Sequence, residues 1–573
     1  MAFAIKRTPY FAFKIMPAQL VSRSFPKSCI MWKLSVPKCT FLCKADWRKP
    51  VSACLMSSIL CAAYMKENSL SLKSHQAQII PKPLSQHYIS YFHYFLLTLS
   101  SKLFDFLDSV IYLFKLNLRL FMLGITFGPL CISYPLVCHF TSAMNIWLKL
   151  LLIVVKFSGP TFVKLGQWAS TRRDLFSSEF CDVLGLLHCN AACHPWSHSR
   201  HILSKAFGKH WETWCNIEFE HPVHSGCIGQ VYRGWIDVNI FAQEIGTHFE
   251  KDLDNEESCN GKVQVAVKII HPGVTELVDL DLTIMRGVAN LISSLPGLKW
   301  LSLPEIILEF EQLMKKQIDL RVEAKNLDSF NKFFADSLEV KFPSPIWPLV
   351  HPEVLIETWE AGIPISHFIG GNRGEMIPNK QKEKLARMGV AAILKMVFID
   401  NFVHADLHPG NIIVQFISED HSSARTNADH LPASGMTRLV FLDAGIVASL
   451  KEDDLQNLHQ VFTAIVLNKG DVVGELFLKH ATCNECQTPE EFKIEMADLV
   501  NDVHQQTLKL GKIQVAGLLT NLFNLLIKHK VKLESNFSSV LLAIMILEGL
   551  GRSLDPQLDI MQQARPVLLS RLF

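Results

Sequence analysis

Two histidines, an aspartate and an asparagine fall within the eight-residue segment HADLHPGN, 404–411. Two kinds of chemistry fit these residue types. On a strand, side chains alternate between faces, so His404, Asp406 and His408 would project together as a zinc or iron site. In a loop, Asp406 and Asn411 have the Asp-x-x-x-x-Asn spacing of a kinase catalytic loop. The rest of the chain must supply the parts that decide between these two interpretations.

Phosphoryl transfer depends mostly on positioning groups: a cation fixed on a strand, an acid that orients it, and oxygen ligands for Mg²⁺. Lys268 lies in VAVKII, which has the V-A-[IV]-K form of a phosphate-pairing lysine. Glu323, in DLRVEAKN on a predicted helix, can reach back to Lys268. Asp443, in FLDAG, follows an apolar strand at the position expected for a metal-binding aspartate.

A nucleotide also needs a turn whose backbone N–H groups can approach phosphate. The segment SGCIGQVY predicts a strand-turn-strand with two glycines, which allow this close approach. The elements then occur in the order turn, lysine, glutamate, aspartate, asparagine, aspartate, which favours phosphoryl transfer over a metal cluster. The predicted nucleotide contacts are Ser225, Gly226, Cys227, Ile228, Gly229, Gln230, Val231, Lys268, Glu323 and Glu357.

Composition and charge indicate a large protein with a distinctive N-terminal third. The chain has 573 residues, of which 49% are hydrophobic and 19% charged, enough for two or three domains. Its net charge of +2 gives no reason to predict a nucleic-acid partner. The first 50 residues carry ten Lys or Arg and one acid, which predicts a mitochondrial transit peptide over 1–50. A disordered basic tail is the alternative.

The following region, 51–150, is predicted to be helical and hydrophobic, with a candidate membrane segment at 120–140. Pro129, Pro135 and two glycines interrupt that segment, so a buried or membrane-surface helix pair fits equally well. The fifteen cysteines are scattered and odd in number, which does not indicate a disulfide framework. Cys483 and Cys486 form a single C-x-x-C pair without a second pair nearby to complete a zinc site.

The remaining chain mixes helical and β-type patterns. Residues from Ser158 onward are typical of a helix, with Pro160 suited to its first turn. Two strands are predicted at 227–236 and 263–270, separated by an acidic insert, and a helical stretch follows near 304–330. Beyond another strand at 354–360, the pattern is mostly helical to the end, with short strands at 411–416 and 438–445.

These motifs resemble the UbiB/aarF-domain-containing family of atypical kinases over about residues 150–565. FVKLGQ resembles the family's Lys-x-Gly-Gln motif, while HPGV, HADLHPGN, LDAG and LEGLGRSLDP are all phrases of the family. The resemblance implies an α+β, two-lobed protein-kinase-like fold with a helical N-terminal extension packed over the active site. The implied divisions are 151–215 for this extension, 216–361 for the N-lobe and 362–573 for the C-lobe.

The resemblance also implies roles for single residues and a pair of cofactors, ATP and Mg²⁺. Asp406 would accept the proton, Asn411 and Asp443 would bind the metal, and Lys268 with Glu323 would orient the phosphates. His408 would shape the loop without binding a metal. The extension would direct Lys164 and Gln167 towards the nucleotide. The residues of the family's own motifs are Lys164, Gly166, Gln167 and Asp319.

Two departures from the family pattern affect these expectations. The alanine-rich turn, Ala-Ala-Ala-Ser, is replaced here by HSGC at 224–227, and a glycine at Gly226 would loosen it. Nucleotide preference therefore does not transfer. The Glu-x-Asp motif has Gln317 in place of its glutamate, which leaves Asp319 as the expected acidic partner of Lys164.

The function implied by the resemblance is that of a mitochondrial atypical kinase or ATPase in coenzyme Q or lipid metabolism, associated with the inner membrane. Its expected partners are nucleotide and either mitochondrial membrane lipids or proteins of the quinone pathway. A conventional Ser/Thr protein kinase is a weaker alternative, because no Ala-Pro-Glu anchor follows Asp443. A non-catalytic lipid-binding pseudokinase is the other, favoured by the apolar N-terminal third.

Overall fold

The structure is a computed structural model that describes most of the chain from residue 84 onward. The described residues are 84–173, 176–187, 193–245, 261–294, 303–369, 378–417, 436–481, 483–484, 486–510, 515–533, 535–558 and 563. The predicted transit peptide and most of the acidic insert lie outside them. The chain divides into two compact units, Thr8–Leu113 and Phe114–Phe573, the second of which also includes Met1–Arg7. Every contact described below lies within the second unit.

Four helices form the N-terminal region and the extension. They are α1 (Leu84–Val137), α2 (Thr141–Phe157), α3 (Pro160–Thr171) and α4 (Ser178–Gly185). Pro160 occupies the first turn of α3, as predicted. The expectation that prolines interrupt the apolar segment was wrong, because α1 continues through both Pro129 and Pro135. Each proline removes one backbone hydrogen bond, a local loss that a helix of 54 residues sustains.

The same first helix is long and apolar enough to cross a membrane. Its candidate span, Thr98–Val137, is largely exposed, with 11% of the most apolar window buried. The predicted segment at 120–140 overlaps the end of this span, and a true crossing stays a prediction. Within the second unit, large apolar side chains are exposed along α1 and also along α2. Examples are Phe121, Ile125 and Ile132 on α1, and Ile146, Ile153 and Phe157 on α2.

A five-stranded antiparallel sheet forms the upper lobe. Its strands run in the order β1-β3-β4-β6, with β2 paired to β3. The three long predicted strands are confirmed within a few residues of their ends. The strands are β1 (Cys215–Ile217), β2 (His224–Ser225), β3 (Gly229–Asp237), β4 (Lys262–Ile270) and β6 (Val354–Thr358).

The two faces of this sheet have different chemistry because side chains alternate along each strand. One face is apolar and packs on helix α5 (Trp196–Phe207); Val265, Val267 and Ile356 are among its fully buried members. Lys268 and Glu357 occupy the intervening positions of β4 and β6, so they project from the other face. The strand register therefore places both polar side chains on the face turned away from α5.

The helices that follow β4 cover the polar face of the sheet. A helix that the sequence analysis did not predict, α7 (Val274–Ser293), comes first. The single helical stretch expected near 304–330 is two helices, α8 (Leu303–Gln317) and α9 (Leu320–Phe333). The break has a capping cause: the Asp319 carboxylate accepts the Arg321 N–H at 3.1 Å and begins α9. The break therefore fixes where α9 begins, and with it the position of Glu323 in the first turn of this helix.

The lower lobe is mostly helical, as predicted. Strands β9 and β10 pair as an antiparallel hairpin flanked by β5 and β7, and β8 pairs with β11. The lobe boundaries stay predictions. The remaining elements are α6 (Val238–Ile245), β5 (Val340–Lys341), β7 (Ile363–Pro364), α10 (Asn379–Leu394), β8 (Val403–His404), β9 (Ile412–Ile417), β10 (Met436–Phe441), β11 (Val447–Ala448), α11 (Glu452–Val466), α12 (Gly470–Lys479), β12 (Cys483–Asn484), α13 (Pro489–Leu510), α14 (Val515–Lys528), β13 (Val531–Lys532) and α15 (Ser535–Leu554).

A buried ion pair connects helix α1 to helix α7. Arg119 on α1 reaches the fully buried Asp281 carboxylate on α7 with Nε at 2.7 Å and Nη2 at 3.0 Å. Its Nη2 also donates to the Ser158 carbonyl at 2.5 Å. One turn earlier, Lys115 contacts Glu276 at 3.6 Å with both side chains exposed. The two pairs join the same two helices and differ in burial.

We expect Arg119→Ala to lower the free energy of unfolding by about 3–5 kcal/mol, because it leaves the Asp281 carboxylate buried without a counter-charge. Lys115→Ala is the matched control on the same helix and should change stability by no more than about 0.5 kcal/mol. Urea unfolding followed by circular dichroism measures both. Equal effects of the two substitutions would show that Asp281 does not need Arg119.

Candidate active site

The loop after β8 is held in place by a buried histidine. The Asp406 N–H donates to His404 Nδ1 at 3.2 Å, so Nε2 carries the ring proton. That nitrogen contacts the Asp443 carbonyl oxygen in a short hydrogen bond. Both ring nitrogens are thereby engaged, which explains why His404 does not act with Asp406 and His408 as a metal ligand. Instead, the histidine ties the loop bearing Asp406 to the segment bearing Asp443.

Asp443 lies at the end of β10 with its carboxylate among hydrogen-bond donors and cations. The Gly445 N–H donates to Oδ1 at 2.7 Å, and Lys268 Nζ lies 3.5 Å from Oδ2. Burial alone would raise the pKa of Asp443, but Lys268 and the Gly445 N–H outweigh it and hold the pKa well below its ordinary value. The carboxylate is therefore anionic at neutral pH, as a magnesium ligand must be.

Lys268 is fixed by two carboxylates on different elements. Its Nζ donates to Glu323 Oε1 at 2.6 Å and to Oε2 at 2.7 Å, which is the contact expected from the sequence. Burial by itself would lower the pKa of Lys268, yet Asp443 and Glu323 more than offset this and raise it. The ammonium group is thus permanently charged and faces the Asp443 carboxylate. The phosphate-orienting role of Lys268 and Glu323 stays a prediction.

The helical extension reaches the active site through Lys164 on α3. Its Nζ lies 3.5 Å from Asp406 Oδ2, and both side chains are largely buried. Burial acts to lower the pKa of Lys164, but Asp406 and neighbouring acidic groups raise it above its ordinary value. The extension therefore packs over the active site and places a cation on the predicted proton acceptor.

The residues at the metal position fit Mg²⁺. The Asn411 side-chain nitrogen donates to the Asp406 carbonyl at 3.4 Å, which leaves its amide oxygen as the ligand atom. The Asp443 carboxylate supplies a second oxygen, and Mg²⁺ prefers oxygen ligands, commonly one or two from protein together with phosphate and water. Both metal roles stay predictions. His408 Nδ1 accepts the Gly410 N–H at 3.1 Å and so shapes the same loop.

The glycine-containing turn approaches the site as the sequence analysis expected. A Cβ on Gly229 would lie 2.6 Å from the Ile269 carbonyl oxygen, so only glycine allows this pairing of β3 with β4. Gly226 is different: its φ is not left-handed, and a Cβ there would meet nothing closer than 3.6 Å. Its backbone accommodates alanine as well as glycine. Cys227 at the tip is close enough to Lys164 and Asp406 to interact electrostatically with both.

Three residues that were predicted to contact nucleotide or Lys164 have their side chains directed elsewhere. Gln230 is fully buried on the α5 side of the sheet, where its Nε2 contacts the Tyr232 hydroxyl and its Oε1 accepts the His194 N–H at 3.1 Å. A nucleotide contact would require the opposite face of β3. Gln167 Nε2 donates to the Leu187 carbonyl at 3.0 Å, so it positions the extension rather than pointing at nucleotide.

The third correction concerns Asp319, which was expected to be the acidic partner of Lys164. Its carboxylate instead pairs with Arg321 at 2.7 Å and caps α9, while Lys164 pairs with Asp406. The Gln317 amide oxygen is buried without a hydrogen-bond partner. Gly166 has a packing role, because a Cβ there would overlap the Leu187 side chain.

Glu357 is the remaining buried acid on the polar face of the sheet. It pairs across the strands with Ala266, and its Oε2 has no hydrogen-bond partner. Burial first, and then the nearby charge of Glu323, raise the pKa of Glu357 well above its ordinary value of 4.5. A protonated carboxyl can donate a hydrogen bond, so Glu357 is able to present a donor to a ligand on this face. Its contact with nucleotide stays a prediction.

Two positioning residues were missed at the sequence level. His404 was considered only as a metal ligand. The signal that could have found its positioning role is its place in the loop motif, two residues before Asp406. Asn326 on α9 donates from Nδ2 to the Ala444 carbonyl at 2.8 Å and so joins the helix of Glu323 to the segment after Asp443. Its signal, an asparagine three residues after Glu323, is too common to be selected from sequence.

The fold and the site together define a protein-kinase-like protein with a covered active site. The comparisons with known proteins give its family. Residues 256–476 match the ABC1 atypical kinase-like domain, and residues 496–559 match the UbiB helical domain. The chain belongs to the ABC1/UbiB family of atypical kinases, which agrees with the resemblance drawn from its motifs.

Three curated relatives show the breadth of the family. A mitochondrial ABC1 family protein of Saccharomyces cerevisiae is 32% identical over 508 residues, covering 81% of this chain and 76% of that protein. A probable serine/threonine-protein kinase of Dictyostelium discoideum is 32% identical over 514 residues, covering 81% and 70%. The probable protein kinase UbiB of Histophilus somni is 28% identical over 432 residues, covering 75% and 71%.

The raised pKa of Glu357 predicts a pH-dependent cost of folding. Below pH 4.5 the folded and unfolded chains both hold the proton, and the contribution to stability is fully present. As the pH rises above 4.5, the unfolded chain loses this proton before the folded chain does, which stabilises the unfolded state. The free energy of unfolding therefore falls until the pH reaches the pKa of Glu357 in the folded state. Glu357→Gln should therefore gain stability relative to wild type as pH rises, by about 1.4 kcal/mol for each unit of pKa difference.

Chemical unfolding of wild type and Glu357→Gln from pH 4.5 to 8.5 measures this difference. Glu276→Gln, on the exposed surface of α7, is the control, and its stability should stay within about 0.5 kcal/mol of the wild type at each pH. A difference between wild type and Glu357→Gln that stays constant across the range would show that the buried carboxyl titrates normally.

Proposed function

We propose that the protein is an ATP-binding atypical kinase or ATPase of mitochondria that transfers the terminal phosphoryl group of Mg-ATP to a small, lipid or water acceptor. One observation carries this proposal: Lys268, bound by Glu323, faces the anionic Asp443. A permanently charged ammonium beside a metal-binding carboxylate is what the phosphates and Mg²⁺ of a nucleotide require.

Each residue has a separate task in this proposal. Lys268 binds the phosphates, and Glu323 fixes its position. Asn411 and Asp443 would hold the Mg²⁺, which would neutralise the charge that develops on the phosphates. Asp406 accepts the proton of the acceptor. The buried His404 keeps Asp406 and Asp443 in register, since it bonds to the backbone of both.

The size of the acceptor is limited by the extension. Lys164 occupies the space beside the Asp406 carboxylate, where a protein kinase would admit a peptide hydroxyl. A polypeptide segment would have to displace α3, whereas water or a small molecule would not. This contact supports a small or membrane-borne acceptor over a protein substrate.

Location and metabolic role rest on the relatives and on the N-terminal third. The basic first 50 residues suit a transit peptide, and the S. cerevisiae relative is mitochondrial by name. The exposed apolar residues of α1 and α2 support association with the inner membrane. Membership of the UbiB family supports a role in coenzyme Q biosynthesis or lipid metabolism, with membrane lipids or quinone-pathway proteins as partners.

A second candidate is a non-catalytic, lipid-binding pseudokinase. The contact between Lys164 and Asp406 favours it, because the predicted proton acceptor is already engaged by a cation. Measurement of nucleotide turnover distinguishes the two functions.

The purified chain should hydrolyse ATP slowly in buffer and faster on phosphatidylcholine vesicles, with negligible phosphorylation of generic peptides. Asp406→Asn should reduce hydrolysis to the background rate. Lys164→Ala should raise it several-fold, because removal of the cation frees the Asp406 carboxylate to take up a proton. Release of inorganic phosphate measures the rate of hydrolysis by the wild type and by both variants.

Lys156→Ala is the control for Lys164→Ala, since Lys156 is an exposed lysine in the last turn of α2. It should hydrolyse ATP at the wild-type rate. Hydrolysis that Asp406→Asn leaves intact, or robust peptide phosphorylation by the wild type, would overturn the proposed reaction. Absence of hydrolysis under every condition would favour the pseudokinase.

A further inference from the structure

An apolar cavity of about 260 Å³ lies against the catalytic loop, apart from the groups that would hold nucleotide. Its walls come from helices α10 and α15, from strands β9 and β10 and from the loop itself. None of the charged residues of the active site contributes to its lining. Representative wall residues are Leu385, Ile393, Leu407, Ile412, Phe441 and Leu554.

The lining restricts what the cavity can hold. Apart from His408 and Ser553, every lining residue is aliphatic, aromatic, glycine or proline, and none carries a fixed charge. A buried water needs two to four polar partners, and His408 and Ser553 are the two polar side chains in these walls. A charged ligand would lose its hydration without gaining a counter-charge. The walls therefore favour an uncharged hydrocarbon group.

The volume of the cavity also limits the size of the group that it can hold. An apolar cavity of about 150 Å³ accepts benzene, so by proportion this one accommodates about ten carbon atoms. We propose that it binds the hydrocarbon chain of a membrane lipid. The same unit exposes large apolar side chains along α1 and α2, and lipid is the hydrocarbon source available to such surfaces. The proposal concerns binding and stands whether or not the chain hydrolyses ATP.

The entrance to this lipid-chain cavity is marked by small and exposed residues. Pro409, Gly549 and Ser553 line the cavity and are exposed to solvent. A Cβ added at Gly549 would have no atom within 4 Å, so the space in front of this glycine is open. The chain would enter between the catalytic loop and α15.

Binding here would act on the loop that carries the active-site groups. Leu407 and Ile412 line the cavity and directly follow Asp406 and Asn411. Between them, the Gly410 N–H donates to His408 Nδ1 and the Asn411 N–H donates to the His408 carbonyl. An occupant that packs against His408 would restrict the opening of these hydrogen bonds. Lipid would thereby order the loop of the predicted proton acceptor.

The test titrates the full chain with 1-decanol by isothermal titration calorimetry, without nucleotide. We expect saturable binding at one site, and much weaker binding of 1,10-decanediol, whose second hydroxyl would be buried. Gly549→Leu should weaken 1-decanol binding at least tenfold by filling the entrance. Gly287→Leu is the matched control: it is also an exposed helical glycine with open space at its Cβ, and should bind as wild type does.

Hydrogen exchange of the wild-type chain locates the site independently of any variant. Saturating 1-decanol should slow exchange at the amides of Gly410 and Asn411. No saturable binding to wild type, equal affinity in Gly549→Leu, or unchanged exchange at these two amides would each overturn the proposal. Failure of ATP hydrolysis would leave all three results unaffected, so the two proposals fail separately.

Discussion

The contact of Lys268 with the buried Glu323 and the half-buried Asp443 is the interaction on which the rest of the structure depends. The Glu323 carboxylate would be strongly destabilising if it were buried without Lys268, so these two groups must be brought together on folding. The lysine comes from a central strand, the glutamate from α9 and the aspartate from the end of β10. Their meeting fixes the relative position of the sheet, the covering helix and the lower lobe.

The covered active site follows from how the extension is anchored. Arg119 ties α1 to α7 through Asp281, and Lys164 on α3 then lies over Asp406. His404 connects Asp406 to the Asp443 backbone beneath. These contacts of Lys164 and His404 support the proposal that the acceptor is a small molecule and not a polypeptide. The family membership and the geometry therefore support the same chemistry from different directions.

Much of the fold and of the candidate site could be predicted from the sequence, and the predictions that were wrong have physical causes. The strands around Lys268 were predicted because their apolar alternation is strong, and Glu323 reaches the lysine as expected. Gln230 was misplaced because a motif gives the residue but not the face of the strand it occupies. Asp319 was misassigned because a helix cap and an ion-pair partner need the same residue type, and only the break between α8 and α9 distinguishes them.

The most direct test of the account is whether Mg-ATP binding depends on Asp443. A ligand at a hundredfold excess over its Kd stabilises the folded state by about 2.7 kcal/mol, so Mg-ATP should raise the melting temperature of the wild type. Asp443→Ala should abolish that rise, and Asp453→Ala, an exposed acid in the first turn of α11, should retain it. An equal rise in wild type and Asp443→Ala would contradict the assignment of this carboxylate to the metal and with it the nucleotide site.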